Sequence, residues 1–531
     1  MNSKAETANG VVRGLLDDGV VSFRGIPFAA PPMGDLRFAP PAPPQPWPGE
    51  RDCTRYTTVS LQPRDPLSVM IPACESNYYD PGAVQDEDCL NLNVWTPALT
   101  GSRPVLVWIH GGGFLTGSGT GLWTEGTTFG RCHDVVVVTI NYRLGALGFL
   151  AVEDPQSETG YVSNAGLLDQ MAALRWVRLN ISAFGGDPER ICLFGESAGA
   201  MSVATLLGTP SAAGLFSCAI VQSGAASMCH DMATARSVGE RFAAKLGIPY
   251  DGSTLAALRR VDRKRLTTAQ AALIAETRVP FRPVVDGHHL PTPPLEAIAG
   301  GSAASVPLIV GTNTDENKLF RLLAQTPGQS DDDLADLLAA CFTSSVAQSQ
   351  SVASLMEELL RTYRALEQDD ADAWDIVATD RMFRAPAREL METQSKAGGA
   401  VFSYEFGVTT PVCNGELGAC HALEIPFVFG DLRSPGVAEF IGNDVAPGSV
   451  AATVSAVMNA TWAEFARRGQ PVHPDLPAWP QFQPGSGQQL FFGADTHVRE
   501  DPHRARTLLW IENQHLTRRP FDLTVLLVRP V

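Results

Sequence analysis

The chain has 531 residues, of which 44% are hydrophobic and 18% charged, a composition typical of a globular protein with a large core. Its net charge of −17 argues against nucleic acid or an anionic membrane surface as a partner, because both are themselves negative. The first residues lack an apolar signal core, and no stretch reaches the roughly 18 consecutive apolar residues of a membrane span. We therefore expect a cytoplasmic protein without membrane association.

The ten cysteines include no Cys-x-x-Cys pair, and several of them lie in apolar stretches. In a long chain without a signal segment, this pattern indicates reduced thiols rather than a disulfide framework. The same spacing argues against a metal site.

The N-terminal part of the chain combines a predicted hairpin with an extended belt. Two Val-rich segments, residues 11–14 and 20–25, flank an Asp-Asp-Gly turn, which predicts a hairpin within residues 10–26. The following residues, 27–48, are rich in proline, and we expect them to run over the surface without strand or helix interiors.

Most of the remaining chain alternates between strand-like and helix-like segments. Apolar or alternating stretches typical of strands lie at residues 90–95, 104–110, 134–142, 191–194, 219–224, 306–311, 401–406 and 490–492. Helical patterns lie at residues 165–180, 201–207 and 452–467. This order predicts an α/β fold with a doubly wound, mostly parallel central sheet flanked by helices and a functional site at the carboxyl edge of the strands.

Two long segments, residues 228–290 and 318–400, have helical patterns without strong strands. We expect them to be cap-like helical insertions that cover the site. The chain shows no internal repeat and no low-complexity linker. We therefore expect residues 1–531 to form a single domain that carries both insertions.

Residues 195–199, Gly-Glu-Ser-Ala-Gly, lie between a strand-like segment and an Ala-rich, helix-like segment. Strand, tight turn and helix are the parts of a nucleophile elbow, in which the turn lifts the Ser197 hydroxyl out of the sheet. The start of the helix aims free N–H groups at this hydroxyl. An ordinary turn with an incidental serine is the alternative, and Ser197 is the candidate nucleophile.

Residues 111–113 are three glycines that follow the apolar strand predicted at residues 104–110. Their backbone N–H groups have no side chains in the way, which suits an oxyanion hole: fixed donors at the place where negative charge develops. A flexible loop or a phosphate-binding loop is the alternative. The chain lacks the Gly-Lys-Ser/Thr sequence of a nucleotide P-loop, which argues against phosphate binding.

A serine nucleophile of this kind needs an acid and a histidine base, in the chain order Ser, acid, His. Among the late histidines, His421 alone lies in a small-residue turn before an apolar run, where a neutral imidazole can accept a proton. A hydrogen-bonded core histidine is the alternative. Asp315 and Glu316 both follow a predicted buried strand. Position alone does not decide which of the two is the acid. Either residue could instead belong to a surface turn or cap a helix.

Several of these motifs resemble those of a known family. Residues 184–199, Phe-Gly-Gly-Asp-Pro-Glu-Arg-Ile-Cys-Leu-Phe-Gly-Glu-Ser-Ala-Gly, resemble the active-site signature of the type-B carboxylesterases, the carboxylesterase–cholinesterase family. Residues 87–97 are similar to its second signature, and residues 23–29 and 141–145 also fit. The similarity covers nearly the whole chain, and it implies the α/β-hydrolase fold in a single catalytic domain.

Carried over position by position, the resemblance implies a serine esterase that hydrolyses small-molecule carboxylic esters. In the catalytic triad that the resemblance implies, Ser197 is the nucleophile, Glu316 the acid and His421 the base. The oxyanion-hole N–H donors that it implies are those of Gly112, Gly113 and Ala198. The family's chemistry calls for no metal and no other cofactor.

Two departures from the family pattern concern the site and the cysteines. Asn317 stands where relatives usually have glycine, which we expect to tighten the loop that holds Glu316. Secreted relatives pair the cysteine that corresponds to Cys89 with an earlier one, and Ser60 stands there in this chain. Cys74 is the remaining partner for Cys89 in an oxidising compartment, but free thiols are the favoured state.

Other functions use parts of the same pattern. An amidase, a carbamate hydrolase or an acyltransferase employs the same triad, and a non-catalytic binding protein on this fold is less favoured because all three triad positions are present. If His421 is the base, kcat/KM is expected to fall as pH drops through about 6–7. Phe114, Trp123, Tyr78 and Tyr79 are candidates for an apolar pocket, with core packing or surface exposure as the alternative.

Overall fold

The structure is a computed structural model that describes residues 3–64, 67–68, 71–74, 82–157, 160–277, 279–323, 331–342, 349–366 and 370–517. Its main feature is an eleven-stranded sheet. None of the described helices is both long and apolar enough to cross a membrane.

The strands of the described residues fall into one large sheet and several small ones. In chain order they are β1 (Lys4–Thr7), β2 (Gly10–Arg13), β3 (Leu15–Asp17), β4 (Val20–Pro27), β5 (Glu50–Asp52), β6 (Thr58–Val59), β7 (Val84–Gln85), β8 (Asn91–Thr96), β9 (Arg103–Ile109), β10 (Val136–Ile140), β11 (Val152–Glu153), β12 (Tyr161–Val162), β13 (Gly186–Glu196), β14 (Cys218–Gln222), β15 (His230–Asp231), β16 (Val284–Val285), β17 (Leu308–Asn313), β18 (Val401–Phe406), β19 (Gln488–Phe492) and β20 (His497–Glu500). The large sheet has the order β20-β19-β18-β17-β14-β13-β9-β10-β8-β4-β3. From β19 to β10 in that order the strands are parallel, and the outer pairings are antiparallel.

The α-helices connect these strands and cover the sheet. In chain order they are α1 (Thr127–His133), α2 (Gly145–Phe149), α3 (Ala165–Asn180), α4 (Ala198–Leu207), α5 (Met232–Leu246), α6 (Thr254–Arg260), α7 (Arg263–Thr277), α8 (Pro294–Ala299), α9 (Glu316–Leu323), α10 (Asp331–Ala340), α11 (Gln350–Arg364), α12 (Asp370–Thr379), α13 (Ala385–Lys396), α14 (Ile425–Phe429), α15 (Ala438–Ile441), α16 (Val450–Arg468) and α17 (Arg504–Glu512).

The side chains of β9 alternate between the two faces of the sheet. Val105, Val107 and Ile109 belong to one hydrophobic cluster, whereas Leu106 and Trp108 belong to another. All five are buried, as expected for a parallel strand that is covered by helices on both faces. The sheet therefore separates two cores, and only the loops at its ends are available for a site.

The predicted α/β architecture with a mostly parallel sheet is confirmed. Helix α3 begins and ends where the apolar periodicity predicts, and the central strands lie within a few residues of their predicted positions. The two segments predicted as insertions contain α5–α7 and α9–α13, and the strands among their described residues are the two-residue β15 and β16.

The predicted partner in the N-terminal hairpin is wrong. β4 does form a hairpin across the turn at Asp18 and Gly19, but its partner is β3. The earlier strand, β2, pairs with β1 instead. The reason is a second turn, at Ala8 and Asn9, which joins Thr7 to Gly10 and folds β2 back onto β1.

Candidate active site

Ser197 lies at the sharp turn between β13 and α4. Its φ of 55° and ψ of −125° are angles that residues other than glycine rarely adopt. The Ser197 N–H holds the turn by donating to Gln222 O at 2.9 Å. The close packing also requires Gly199, because an added Cβ would lie 2.0 Å from Ile109 O. The geometry is that of a nucleophile elbow, and Ser197 is partly exposed.

The glycine loop after β9 passes directly against this turn. A Cβ added at Gly111 would lie 3.1 Å from Ser197 Cβ. The backbone N–H groups of Gly112 and Gly113 have no hydrogen-bond partner among the described residues. The N–H of Ala198 belongs to the first turn of α4, where helix donors lack an intrahelical acceptor. Unused backbone donors therefore lie beside the partly exposed serine.

Glu316 and His421 form a buried hydrogen-bonded pair. His421 Nδ1 lies 2.6 Å from Glu316 Oε2, although the two residues are 105 positions apart in the chain. The other carboxylate oxygen, Oε1, accepts from the Asn313 N–H at 2.8 Å. Glu316 begins α9 just after β17, and His421 lies on the loop between β18 and α14. The structure thus places a carboxylate where it orients the imidazole.

The second ring nitrogen of His421 lies next to Glu196, the residue that precedes Ser197. Nε2 is 3.0 Å from Glu196 Oε1, but this contact is not a hydrogen bond, and the oxygen has no hydrogen-bond partner in the described part of the chain. Among the described contacts of His421, none is a hydrogen bond to Ser197 Oγ. Glu196 was not predicted as a site residue, and its position next to the candidate nucleophile is the feature of the sequence that could have indicated it.

The chain matches a known protein family along most of its length. The model of the carboxylesterase family matches residues 2–510. The chain belongs to the carboxylesterase family. This esterase is 36% identical over 501 residues, 92% of this chain and 94% of the relative, to phenmedipham hydrolase of Pseudarthrobacter oxydans. It is 36% identical over 505 residues, 93% of this chain and 96% of the relative, to para-nitrobenzyl esterase of Bacillus subtilis strain 168.

Solved structures of carboxylesterases are similar over almost the whole length. A carboxylesterase of Geobacillus stearothermophilus has a TM-score of 0.81 at 38% identity, and the match covers 96% of this chain and 100% of that one. A structure described as a thermophilic PNB esterase has a TM-score of 0.83 at 32% identity, with the same coverage. The protein is therefore a carboxylic ester hydrolase with the α/β-hydrolase fold.

Three buried carboxylates surround the imidazole of this esterase, those of Glu196, Glu316 and Glu424. Burial lowers the pKa of His421, but the carboxylates of Glu196 and Glu316 outweigh it and raise the pKa to about 9. Burial raises the pKa of Glu196 to about 8 and also raises that of Glu424. The imidazole therefore holds its proton to a higher pH than the sequence-based expectation of about 6–7.

Two aromatic rings of the second insertion pack on the imidazole. The ring centroids of Phe320 and Phe383 lie 5.0 and 4.9 Å from that of His421. Phe383 belongs to a π-helical turn, Asp380–Arg384, between α12 and α13. Such turns bulge out of an α-helix and are common at functional sites. The two rings therefore cover one side of the imidazole.

The aromatic residues that the sequence suggested for a pocket are placed elsewhere. Phe114 and Trp123 are fully buried, and Trp123 Nε1 donates to Pro435 O at 2.8 Å. The alternative of core packing is therefore correct for these two residues. Tyr78 and Tyr79 lie outside the described residues.

Asn317 ties the first turn of α9 to α12. Its side-chain Nδ2 donates to Asp375 Oδ1 at 2.7 Å, and its backbone N–H donates to Thr379 Oγ1 at 3.1 Å. The residue is buried. Because α9 begins at Glu316, these contacts support the expectation that Asn317 tightens the loop that holds this carboxylate.

None of the ten cysteines, all of which lie in the described part of the chain, forms a disulfide bond. The Ser60 hydroxyl accepts from the Leu144 N–H at 3.2 Å and also contacts the Cys89 thiol. The Cys74 thiol faces Gly436 O at 3.8 Å. Within the described residues, no group of three or more His, Cys, Asp or Glu side chains is placed to hold a metal ion.

Proposed function

We propose that this carboxylesterase hydrolyses small-molecule carboxylic esters through an acyl-enzyme intermediate on Ser197. The observation that carries the proposal is the position of the imidazole: Glu316 holds Nδ1 of His421, while Nε2 lies 3.0 Å from the side chain of Glu196, next to Ser197. Catalytic hydrogen bonds are often loose without substrate and tighten when it binds. The proposal requires His421 Nε2 to reach Ser197 Oγ in the substrate complex.

His421 starts the reaction as a general base. It takes the proton of Ser197 Oγ as this oxygen attacks the ester carbonyl carbon. Glu316 accepts a hydrogen bond from Nδ1–H, which leaves Nε2 free to receive the proton, and its charge stabilises the imidazolium that forms. The buried carboxylate therefore acts through orientation and charge.

The tetrahedral intermediate carries a negative oxygen beside the glycine loop. The N–H groups of Gly112, Gly113 and Ala198 donate to this oxygen, and because the backbone fixes them beforehand, they need no reorganisation. His421 then gives its proton to the leaving alcohol. Water, activated by the same imidazole, attacks the acyl carbon and releases the carboxylic acid and free Ser197.

Ester hydrolysis is expected to depend on pH through the proton of His421. The base must be neutral, so kcat/KM rises as the imidazole loses its proton, and a pKa of about 9 places this rise above the ~6.5 of a free imidazole. Glu196→Gln removes a carboxylate that raises this pKa, so we expect the rise to move to lower pH. The measurement is kcat/KM for p-nitrophenyl acetate against pH.

A charge-matched variant controls for a general effect of net charge. Glu392, on α13, pairs with Arg388 and Lys396, so Glu392→Gln removes one negative charge from another environment. It is expected to leave the pH of the rise unchanged. An unshifted rise in Glu196→Gln would contradict the cause given for the raised pKa. A profile that stays flat down to about pH 4 would contradict His421 as the base.

We further propose that the chain forms a single catalytic domain, with α5–α7 and α9–α13 as insertions, and that it works in the cytoplasm. The domain organisation is supported by the large sheet, whose strands extend from Leu15 to Glu500. The location is supported by the ten cysteines, none of which forms a disulfide bond, because the reducing cytosol keeps thiols in that state. The proposed partner is the small-molecule ester itself.

A further inference from the structure

Asp315 connects the loop of the candidate acid with the loop of the candidate base. Its backbone N–H donates to Ala419 O at 2.9 Å. In return, its side-chain Oδ2 accepts from the Ala419 N–H at 2.9 Å. The two residues thus exchange a pair of hydrogen bonds. Asp315 immediately precedes Glu316, and Ala419 lies two positions before His421.

Asn313 forms a second connection between the same two loops. Its Nδ2 donates to Cys420 O at 2.7 Å and to Glu424 Oε2 at 2.7 Å. Its backbone N–H holds Glu316 Oε1. The end of β17 and the residue before Glu316 are therefore bonded to residues on both sides of His421 in the chain.

We propose that Asp315 is a positioning residue, which sets the distance and angle between Glu316 and His421 through its side-chain bond to the Ala419 N–H. The inference rests on the proposed roles of Glu316 and His421. These two side chains approach from loops that follow different strands, so their 2.6 Å contact depends on how the loops are held together. A displacement of about 1 Å in a catalytic group can cost about 10²-fold in rate.

The hydrogen bond from the Ala419 N–H to Asp315 requires an acceptor oxygen but not a negative charge. The other carboxylate oxygen, Oδ1, lies 3.0 Å from Lys318 Nζ, and both side chains are about one-fifth exposed, at 22% and 23%. Solvent still reaches and screens this partly exposed ion pair, so it contributes little. An amide oxygen can accept from the Ala419 N–H as a carboxylate does. Asparagine should therefore replace Asp315, whereas alanine should not.

The test compares variants at Asp315 by kcat, KM and pH profile for p-nitrophenyl acetate, per active site titrated with an organophosphonate. Asp315→Ala is expected to lower kcat by about 10- to 100-fold with KM changed less than about twofold. The rise of kcat/KM should also move to lower pH, because a looser Glu316 raises the pKa of His421 less. Asp315→Asn should restore kcat to within about threefold of the wild type.

Two control variants separate positioning from general loop stability. Lys318→Ala removes the ion pair and keeps the acceptor, so kcat should not change. Asp286 also accepts from backbone N–H groups, those of His288 and Leu290, on a loop elsewhere in the fold. Asp286→Ala should lower thermal stability without changing kcat per titrated site or the pH profile.

Three results would overturn the inference. The first is an Asp315→Ala protein with wild-type kcat per titrated site and an unshifted pH profile. The second is an Asp315→Asn protein as slow as Asp315→Ala. If Asp315→Ala does not fold, Asp315→Ser replaces it, because the serine side chain is too short for its hydroxyl to make the same bond. The third result is an Asp315→Ser protein with unchanged kcat. Wild-type activity in Glu316→Gln would instead contradict the proposed acid, which keeps the two failures distinct.

Discussion

Replacing Ser197 with alanine is expected to lower kcat for ester hydrolysis by about 10⁴- to 10⁶-fold. Alanine has no oxygen to attack the ester or to carry the acyl group, so only transition-state binding by the glycine loop remains. KM should change little, because the Ser197 hydroxyl is small and the substrate contacts elsewhere are kept. The measurement is the steady-state hydrolysis of p-nitrophenyl acetate by purified protein.

Ser217→Ala provides the matched control for this substitution. Ser217 lies just before β14, and its hydroxyl donates to Ile191 O at 3.1 Å, in the backbone that leads to the elbow. Its loss should leave kcat close to the wild-type value. If Ser197→Ala kept turnover within about tenfold of the wild type, the assignment of the nucleophile would be wrong.

Replacing Glu316 with glutamine is expected to lower kcat by about 10³- to 10⁴-fold. The glutamine amide keeps the volume and one acceptor for the Asn313 N–H, but its NH₂ group then faces His421 Nδ1. Nδ1 must accept this hydrogen bond, so the proton of the neutral imidazole moves to Nε2. An imidazole in that tautomer cannot take the proton of Ser197.

Glu389→Gln is the corresponding control. Glu389 is a half-buried carboxyl on α13 that hydrogen-bonds with Gln514, and burial raises its pKa. Its replacement should leave kcat unchanged. Glu316→Gln with wild-type kcat, or a loss of the same size in Glu389→Gln, would contradict the role proposed for Glu316. Circular dichroism and thermal melting establish that both variants are folded.

The elbow could be predicted from sequence because its signals are local. The strand, the turn and the helix follow one another, and Gly199, which the close approach of Ile109 O requires, lies only two positions after Ser197. The burial of β9 was also visible in its composition, since a strand with both faces covered is apolar throughout. Local sequence thus carried the class of fold and one part of the site.

The surroundings of His421 could not be predicted in the same way. Phe383 reaches the ring from a π-helical turn, which leaves no periodic signal in the sequence. Glu196 approaches Nε2 from another strand, so the contact exists only after the sheet has formed. The raised pKa of His421 results from the carboxylates that fold against it. The sequence-based expectation of about 6–7 did not include them.

The N-terminal hairpin lies in a part of the chain with two local turn signals. Asn9-Gly10 and the turn at Asp18 and Gly19 both favour a hairpin, and the segment between them divides into two short strands, β2 and β3. The chain uses both turns, with β1 and β2 in a small separate sheet and β3 and β4 in the large one. Neither outcome was decided by the residues of β2 alone.

The most direct test of the account is a crystal structure of the enzyme inhibited by an alkyl phosphonate. The account predicts a phosphorus bonded to Ser197 Oγ, with His421 Nε2 within about 3.2 Å of that oxygen. One phosphonate oxygen should lie about 2.7–3.1 Å from the N–H groups of Gly112, Gly113 and Ala198. An adduct on another residue, or an imidazole whose Nε2 lies beyond hydrogen-bond distance of the modified serine oxygen, would contradict it.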